Sequence, residues 1–461
     1  MNFVETPSET SIPLRPLGRD ELTTWLSEQS ENVTRWVVST GFEAKPGTTC
    51  LVPGNDGAIG EVLVGAGEAL WDWAGLPTVL PAHAYHFTGK LTDQQANHAA
   101  LGWALGTYRF DRLKKSEEKK HAVLAWPEGC DQRTVASAAR ATCLVRDLIN
   151  APASHMGPAE LAESANKTAE AHGATVRLLV GDELLDEGFP AVHAVGRAAA
   201  PERAPRLIDL TWGEPSHPKV TLVGKGVCFD SGGLDLKSAA HMKLMKKDMG
   251  GGAHVLGIAS MIMDAKLPLR LRVIIPAVEN SVSASALRPL DVVPTRKGTT
   301  IEIGNTDAEG RVILADALTE ASADAPALLI DFATLTGAAR IALGAELPAL
   351  YSNDDDIATA LLAKGERESD PLWRMPLYKP YRKLIDGKVA DITNSADTPL
   401  GGSITAALFL QEFVEPDIPW VHIDVMAWNT SSRPGRPEGG EAMGMRAVYA
   451  LIEEKFSEKI S

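Results

Sequence analysis

The chain has 461 residues, of which 44% are hydrophobic and 23% are charged, and its formal net charge is -15. These proportions are typical of a soluble globular protein, and at roughly 100–200 residues per domain the length predicts two or three domains. The negative charge argues against nucleic acid as a partner, because the phosphate backbone would be repelled.

The cysteines and the apolar runs indicate the compartment. The four cysteines have no CxxC spacing, so neither a disulfide framework nor a thiolate zinc site is predicted, and a reducing, cytoplasmic compartment is expected. Residues Met1 to Glu21 lack the basic and then apolar pattern of a secretory signal. No apolar run reaches about 18 residues, so no membrane span is expected.

The first 130 residues are predicted to form a small N-terminal α/β domain. Its strand-like runs are Cys50–Pro53, Gly60–Val64 and His121–Trp126, and its helix-like run is Gln94–Tyr108. An Ala-rich helical pattern then covers residues 131–150 and ends before Pro152, because proline cannot continue a helix. We interpret this pattern as a linking helix before a larger domain over residues 151–461.

Strand-like and helix-like segments alternate in the second domain. They are Lys219–Val223, Gly251–Ala265, Leu271–Pro276, Arg311–Ala323 and Leu328–Leu335. This alternation predicts an α/β fold with a mainly parallel sheet flanked by helices. Ligands bind beyond the carboxyl ends of the strands in such sheets, and Lys225 follows one of these ends.

The segment Asn305–Arg311 places charged side chains beside a predicted helix. Asp307, Glu309 and Arg311 alternate with other residues directly before the apolar run Val312–Leu318. Burying two carboxylates and a guanidinium without partners is costly. The cluster therefore indicates metal or anion chemistry rather than packing.

A second polar segment, Gly224–Lys237, contains Asp230 and several glycines, which let the backbone turn sharply and approach a ligand closely. It is not a P-loop, because GxxxxGK[ST] is absent. Asp248 lies just before a predicted helix, so helix capping is an alternative explanation for this residue. Capping does not explain Asp230 or the carboxylates of Asn305–Arg311.

Together these segments supply four carboxylates, namely Asp230, Asp248, Asp307 and Glu309. Such ligands suit divalent cations such as Mg²⁺, Mn²⁺ or Zn²⁺, and four are more than one ion needs, so a two-metal site is predicted. HExxH is absent, which argues against the common single-zinc protease pattern. A dimetal phosphatase is an alternative, although such sites usually add histidine ligands and these segments contain none.

Several blocks of the chain, in the same order, resemble the leucyl (cytosol) aminopeptidases. They are Arg146–Pro152, Gly157–Glu160, Lys225–Lys237, Asp248–Gly251, Asn305–Asp316, Ala333–Ala338 and Gly401–Ala407. The resemblance runs from about residue 140 to the end and is weak over the first 130 residues. It implies a metal-dependent aminopeptidase in which two metals activate water; a catalytically silent structural or regulatory relative is the alternative.

The resemblance also implies a ligand set. By position, Asp230 and Glu309 would bridge two divalent ions, zinc or manganese, with magnesium or cobalt as alternatives. Asp307 would complete one site, and Lys225 and Asp248 would complete the other. A lysine ligand must be kept neutral by burial and by the metal, because the pKa of a free lysine is about 10.4.

Two further residues are implied to take part in catalysis. Lys237 would polarise the scissile carbonyl and stabilise the tetrahedral intermediate. Arg311 would hold a bicarbonate ion that acts as general base, since a guanidinium fork fits a planar oxyanion. The bicarbonate site would comprise Arg311, Ala308, Gly310 and Leu335. A structural salt bridge from Arg311 to Glu309 is the alternative.

The resemblance places Met245, Asn305, Thr334 and Gly337 in the substrate pocket. A thioether in the wall favours apolar side chains such as that of leucine. Coordination of the substrate's free α-amine would restrict cleavage to the N-terminal residue of peptides. The family also implies a homohexamer.

Some further residues receive structural interpretations. Cys228 is predicted to be a small buried filler, and His254 a surface or interface residue. His241 and His422 are interpreted as structural histidines rather than metal ligands. Asp354 and the two aspartates after it are predicted to cap the following helix.

Overall fold

The computed structural model describes residues 2–114 and 120–457. The chain divides into two compact units, one of residues 1–143 and 431–438 and the other of residues 144–430 and 439–461. The division falls within the helix Gln132–Asn150, which covers almost the whole of the predicted linking helix. Within the described ranges, no helix is long and apolar enough to cross a membrane.

The first unit contains a six-stranded sheet. Its strands are β1 (Phe3–Val4), β2 (Ile12–Leu17), β3 (Thr49–Pro53), β4 (Ile59–Gly65), β5 (Ala84–Phe87) and β6 (Val123–Ala125). Its helices are α1 (Arg19–Ser27), α2 (Glu31–Ser39), α3 (Leu76–Val79), α4 (Asp93–Gly106) and the shared α5 (Gln132–Asn150). The spatial order is β1-β6-β5-β2-β4-β3, and every neighbouring pair is parallel except β3 with β4.

Helix α4 shows how sequence builds this unit. The hydroxyl of Thr92 accepts a hydrogen bond from the N–H of Gln95, and the Gln95 side chain accepts one from Thr92, so the first turn is capped in both directions. Trp103 of α4 is fully buried and packs against Tyr85 of β5 with ring centroids 6.2 Å apart. This contact fixes the helix on the sheet.

The second unit contains a nine-stranded sheet and two small sheets. Its strands are β7 (Thr175–Val180), β8 (Arg206–Trp212), β9 (Lys219–Gly224), β10 (Gly226–Asp230), β11 (Arg270–Asn280), β12 (Val292–Pro294), β13 (Thr300–Glu302), β14 (Leu328–Ala333), β15 (Ala349–Ser352), β16 (Trp373–Arg374), β17 (Ile392–Thr393), β18 (Trp420–Asp424), β19 (Trp428–Asn429) and β20 (Gly439–Gly440). In the large sheet β18, β14, β9 and β11 are mutually parallel neighbours, whereas β15, β8 and β7 join antiparallel to their inner neighbours.

Helices cover both faces of the large sheet. They are α6 (Pro158–His172), α7 (Glu183–Asp186), α8 (Pro190–Gly196), α9 (Ala239–Met242), α10 (Gly250–Ala265), α11 (Glu309–Ala323), α12 (Gly337–Leu343), α13 (Asp355–Arg367), α14 (Gly402–Gln411) and α15 (Met445–Ser457). Alternate residues of β14 face opposite ways: Phe332 stacks on His254 of α10, whereas Leu329 belongs to a core with Ile313 and Leu314 of α11. The predicted α/β class, with a mainly parallel sheet between helices, is confirmed.

The strand that carries Lys225 is interrupted at that residue. Both β9 and β10 pair parallel to β11, one after the other, so the chain continues in the same direction on either side of Lys225. The start of α10 approaches this point closely. A side chain at Gly251 would place its Cβ 2.1 Å from the carbonyl oxygen of Phe332 and 2.7 Å from the nitrogen of Lys225, so only glycine fits there.

Candidate metal centre

The structure brings the predicted ligands together beside the central parallel strands. Lys225 lies between β9 and β10, Asp230 ends β10, and Asp248 lies just before α10. Glu309 is the first residue of α11, and Asp307 lies in the preceding turn. In open α/β sheets, ligands bind at the carboxyl ends of the strands, and Asp230 lies at such an end.

Asp230, Asp307 and Glu309 form a compact carboxylate cluster. Each offers one oxygen, and these oxygens all lie within 4.8 Å of one another. Asp230 and Glu309 are each 2% exposed, and Asp307 is half-buried. Carboxylates this close repel one another when ionised, so positive charge or a proton among them stabilises the arrangement.

One such charge comes from Lys225. Its Nζ lies 2.7 Å from Asp248 Oδ2 and 2.9 Å from Glu309 Oε1, and it donates a hydrogen bond to the carbonyl oxygen of Thr334. Lys225 is 3% exposed. A Cβ at Gly310 would lie 2.6 Å from this Nζ, so the lysine packs directly against the backbone of α11.

The other charge comes from Lys237, in the loop after β10. Its Nζ lies 2.9 Å from Asp230 Oδ2 and 2.5 Å from Asp307 Oδ1. The site therefore contains two pairs of carboxylates, and one lysine joins each pair. Lys225 contacts Asp248 and Glu309, and Lys237 contacts Asp230 and Asp307. Among these six groups, four carboxylates against two ammonium groups leave an excess of negative charge.

The pKa values of the ionisable groups in the site reflect this excess of negative charge. Burial raises the pKa of Glu309 to about 8, the charge of Asp230 adds to the rise, and Lys225 opposes it. Burial also raises the pKa of Asp307. For Lys225, burial lowers the pKa, but the charges of Asp248 and Glu309 outweigh burial and hold the pKa above its ordinary value. The site thus favours additional positive charge.

The donor atoms suit divalent cations. Asp248 Oδ2, Asp307 Oδ1 and Glu309 Oε1 are buried, and none accepts a hydrogen bond of good geometry from the described residues. Lysine nitrogens lie within ion-pair distance of all three. Buried carboxylate oxygens with unused lone pairs are the ligands that hard divalent cations prefer.

Arg311 occupies a different position from the ligands. It is 9% exposed, and no described residue accepts a hydrogen bond from its Nε. Burial lowers the pKa of Arg311 to about 10, while the charges of Glu309 and Asp424 oppose that effect. The alternative was a direct salt bridge between Arg311 and Glu309. These two described residues do not form one, and Glu309 pairs with Lys225 instead. A buried guanidinium with an unused N–H suits a small oxyanion.

A cavity of about 710 Å³ opens beside the carboxylates. The predicted pocket residues Met245, Asn305, Thr334 and Gly337 all line it, together with Lys225, Asp230, Lys237, Asp248, Asp307 and Leu335. Ala308, Gly310 and Arg311 are not part of the lining. A larger groove of about 1030 Å³ elsewhere in the second unit contains none of these carboxylates, so chemistry rather than size identifies the site.

Several contacts that the sequence analysis did not predict shape the ligand loops. The carboxylate of Asp235 accepts from the N–H of Thr306 at 2.7 Å, and the Thr306 hydroxyl donates to the carbonyl of Gly232 at 2.6 Å. These bonds join the loop after β10 to the loop before α11. The side chain of Asn394 accepts from Gly304 and donates to the carbonyl of Asn305. Gly232, Asp235 and Thr306 lie within the matching blocks, but their contacts could not be predicted, because each partner is distant along the chain.

Asp424, at the end of β18, was also missed. It accepts hydrogen bonds from the N–H groups of Leu335 and Thr336 and from the Thr336 hydroxyl. Asp424 lines the cavity and is 4% exposed. It therefore fixes the wall that carries Thr334, and no single segment of the sequence could have identified it, because Leu335 and Thr336 lie 89 and 88 residues earlier in the chain.

The histidines and Cys228 have structural surroundings. The interpretation of His254 as a surface or interface residue is wrong: it is fully buried, with Nδ1 2.6 Å from the Gly250 carbonyl and Nε2 accepting from the N–H of Met443. Helix α10 is buried on nearly every side, so no polar face exists for this residue. His422 pairs with Asp331, and Cys228 is fully buried.

Comparison with known proteins extends over both units. The catalytic domain of the cytosol aminopeptidase family matches residues 143–449, and the M17 aminopeptidase N-terminal domain matches residues 12–127. A probable cytosol aminopeptidase of Syntrophotalea carbinolica is 43% identical over 371 residues, which cover 77% of this chain and 74% of that protein.

Solved structures of two other proteins also match the chain. The crystal structure of a cytosol aminopeptidase from Coxiella burnetii has 48% identity and a TM-score of 0.94, covering 98% of this chain and 99% of that chain. The bottromycin maturation enzyme BotP in complex with Mn has 34% identity and a TM-score of 0.86, covering 97% and 99%.

The fold, the carboxylate site and these matches define a metal-dependent aminopeptidase, which is a hydrolase. The chain belongs to the M17, or cytosol aminopeptidase, family.

Proposed function

We propose that this enzyme removes the N-terminal residue of peptides, with a preference for leucine and other apolar residues, by water activated between two divalent cations. The convergence of four buried or half-buried carboxylates with Lys225 and Lys237 beside a cavity carries this proposal. The cations would be zinc or manganese, with magnesium or cobalt as alternatives. The related enzyme BotP has been described with Mn.

The proposed ligand sets are drawn from the two pairs of carboxylates that the lysines join. Asp230 and Glu309 would serve both cations, with Asp307 completing one set. Lys225 and Asp248 would complete the other, which is supported by their contact at 2.7 Å. When bound, the cations would lower the pKa of water and polarise the substrate carbonyl.

Lys225 must be neutral to serve as a ligand. The present carboxylates favour its ammonium form, and Gly310 and the carbonyl of Thr334 fix the position of its nitrogen. Positive charge at the same oxygens would oppose a second positive charge on Lys225 and favour the neutral amine. The rigid backbone contact then keeps the amine aimed at Asp248 and Glu309.

Lys237 and Arg311 would act on the substrate and on the base. Lys237 lines the cavity, so its ammonium group can stabilise negative charge that develops on the scissile carbonyl oxygen. Arg311 would hold a bicarbonate ion near Leu335, with the backbone of Ala308 and Gly310 at the start of α11. The unused Nε of Arg311 and the position of a helix N-terminus support an anion there.

The cavity wall supports the side-chain preference. Met245 offers a flexible thioether, and Gly337 leaves room where any other residue would add a side chain. Thr334 and Asn305 are polar, and both are engaged: Thr334 donates to Asp248, and Asn305 accepts from the N–H of Asp307. The wall that faces a substrate side chain is therefore expected to select apolar groups.

The substrate would be a peptide with a free N-terminus, and the enzyme is proposed to be a cytoplasmic homohexamer.

The decisive assay measures turnover of an aminoacyl-anilide panel with Mn²⁺, Zn²⁺, Mg²⁺ or Co²⁺ supplied separately. Leucyl and other apolar substrates should be fastest, and N-acetylation should eliminate cleavage. Undiminished cleavage of the acetylated substrate would contradict an exopeptidase. Light scattering on the purified protein tests the hexamer.

A further inference from the structure

Asn280, the last residue of β11, lies between the two loops that carry the proposed ligands. It is the parallel register partner of Asp230 at the end of β10, and it is 6% exposed. Its main-chain carbonyl accepts hydrogen bonds from both the N–H and the hydroxyl of Ser231, at 3.1 and 2.7 Å. The backbone of Asn280 is therefore fixed independently of its side chain.

The side-chain amide of Asn280 contacts both proposed bridging residues. Its Nδ2 lies 2.9 Å from Asp230 Oδ1, 3.0 Å from the carbonyl oxygen of Thr306 and 3.4 Å from Glu309 Oε2. All three partners are acceptors, so the nitrogen rather than the oxygen of the amide must face them. An amide has only two N–H groups for these three acceptors, so they cannot all receive a full hydrogen bond. The longest contact, to Glu309 Oε2, is the weakest of the three.

These bonds separate the two oxygens of each carboxylate. Asp230 uses Oδ1 for Asn280 and for the N–H of Gly232 at 2.8 Å, while Oδ2 faces Lys237. Glu309 uses Oε2 for Asn280, while Oε1 faces Lys225 and accepts no hydrogen bond of good geometry from the described residues. One oxygen of each carboxylate is thus engaged by the amide, and the other is presented to the cation-binding side.

We infer that Asn280 is a positioning residue that orients the carboxylates of Asp230 and Glu309 toward the divalent cations. This inference rests on the proposed two-metal function. The amide carries no charge, so it fixes the carboxylates without neutralising them. Aspartate at this position would have nearly the same shape but would place a third carboxylate against the other two.

The test measures binding of Mn²⁺ alone by titration calorimetry to the full chain. Asn280→Leu keeps a similar volume and removes both N–H donors, and it should weaken Mn²⁺ binding by about 10- to 100-fold, as is usual for groups that hold metal ligands through hydrogen bonds. Asn429→Leu is the matched control, because Asn429 is also buried and donates to a carboxylate, that of Glu441, but does not line the cavity. It should bind Mn²⁺ like the unaltered chain.

A spectroscopic readout separates positioning from general damage. With Co²⁺ as the probe, Asn280→Leu should change the visible absorption bands, which report ligand geometry, whereas Asn429→Leu should not. Asn280→Ser, which retains one short donor, is the second variant if Asn280→Leu does not fold, and it should also weaken Mn²⁺ binding. Unchanged Mn²⁺ affinity and Co²⁺ bands in a folded Asn280 variant would overturn the inference. Failure of the unaltered chain to bind any of Mn²⁺, Zn²⁺, Mg²⁺ and Co²⁺ would instead refute the proposed function, and the inference with it.

Discussion

The hydroxyl of Thr334 donates a hydrogen bond to Asp248 Oδ1 at 2.7 Å. Thr334 lines the cavity beside the carboxylates, which is the proposed substrate pocket, and Asp248 is a proposed metal ligand. One side chain therefore connects the surface that would contact substrate to the group that would bind a cation. Both residues are buried, so water does not replace this bond easily.

Thr334→Val tests this connection. The substitution keeps the branched shape and removes the donor, and a hydrogen bond to a charged group contributes about 1.5–3 kcal/mol. Mn²⁺ affinity measured by calorimetry should fall roughly 10- to 150-fold, which is the same free energy expressed as a ratio. Thr405→Val is the control, because Thr405 is buried and its hydroxyl donates to a helix carbonyl. Equal affinity in both variants would show that Thr334 does not support the metal site.

Glu309→Ala should remove the metal and abolish hydrolysis. Glu309 is the residue shared by the carboxylate cluster and by Lys225, so its loss affects both proposed cations. Turnover of leucyl-anilide should fall by more than about 100-fold, the upper end seen for groups that only support a ligand. Bound metal is measured by elemental analysis after dialysis. Glu302→Ala, at a buried glutamate of β13 outside the cavity, controls for damage to the fold. Retained turnover in Glu309→Ala would remove this residue from the site.

Stability should depend on His254 at acidic pH. Burial lowers the pKa of His254 from 6.5, and the Gly250 carbonyl, Asp370 and Glu441 oppose this shift. The folded state therefore binds the proton less readily than the unfolded state, so the contribution is complete above about pH 6.5 and is lost as pH falls below that value.

Thermal unfolding between pH 5 and 8, spanning the reference pKa of about 6.5, checks this direction. Relative to His254→Gln, the unaltered chain should lose stability faster below about pH 6.5. His241→Gln, at an exposed histidine, is the control for replacing a histidine. Parallel curves for the unaltered chain and His254→Gln would show that this histidine does not titrate on unfolding.

Helix α13 provides a local stability test. Asp354 accepts a hydrogen bond from the N–H of Ile357 at 2.9 Å, which confirms the predicted cap. Asp354→Ala should reduce the free energy of unfolding by about 1 kcal/mol, as measured by urea titration. Asp356→Ala, in the first turn of the same helix, removes the same charge but no cap and should cost less. A smaller loss for Asp354→Ala than for Asp356→Ala would contradict the capping role.

The sequence was sufficient where chemistry and periodicity coincided. Asp307 and Glu309 directly precede an apolar helical run, and the helix begins at Glu309, two residues before the predicted start at Arg311. Charged residues at such a junction have few structural explanations, so the junction itself could be predicted. Asp230 was predicted to lie in a polar segment after the strand that ends near Val223, whereas it ends a separate strand, β10, that the sequence analysis did not assign.

Other features could not be predicted from single segments. Asn280 and Asp424 act through partners far along the chain, and a lone polar residue at a strand end carries no specific signal. Strand β2 contains Pro13 and Pro16, which argue against a strand, yet it lies in the interior of its sheet. Three-dimensional pairing overrides local preference in each case.

The break in the strand at Lys225 has a consequence for how the site is lost. The Lys225 N–H donates to Phe332 of β14, and its carbonyl accepts from Gly252 of α10. Separating this lysine from its neighbours thus requires the sheet and a buried helix to come apart together. The proposed metal site should consequently persist while outer segments fray, and it should be lost only when the second unit unfolds cooperatively. Residual activity would then measure directly the fraction of folded molecules during denaturation.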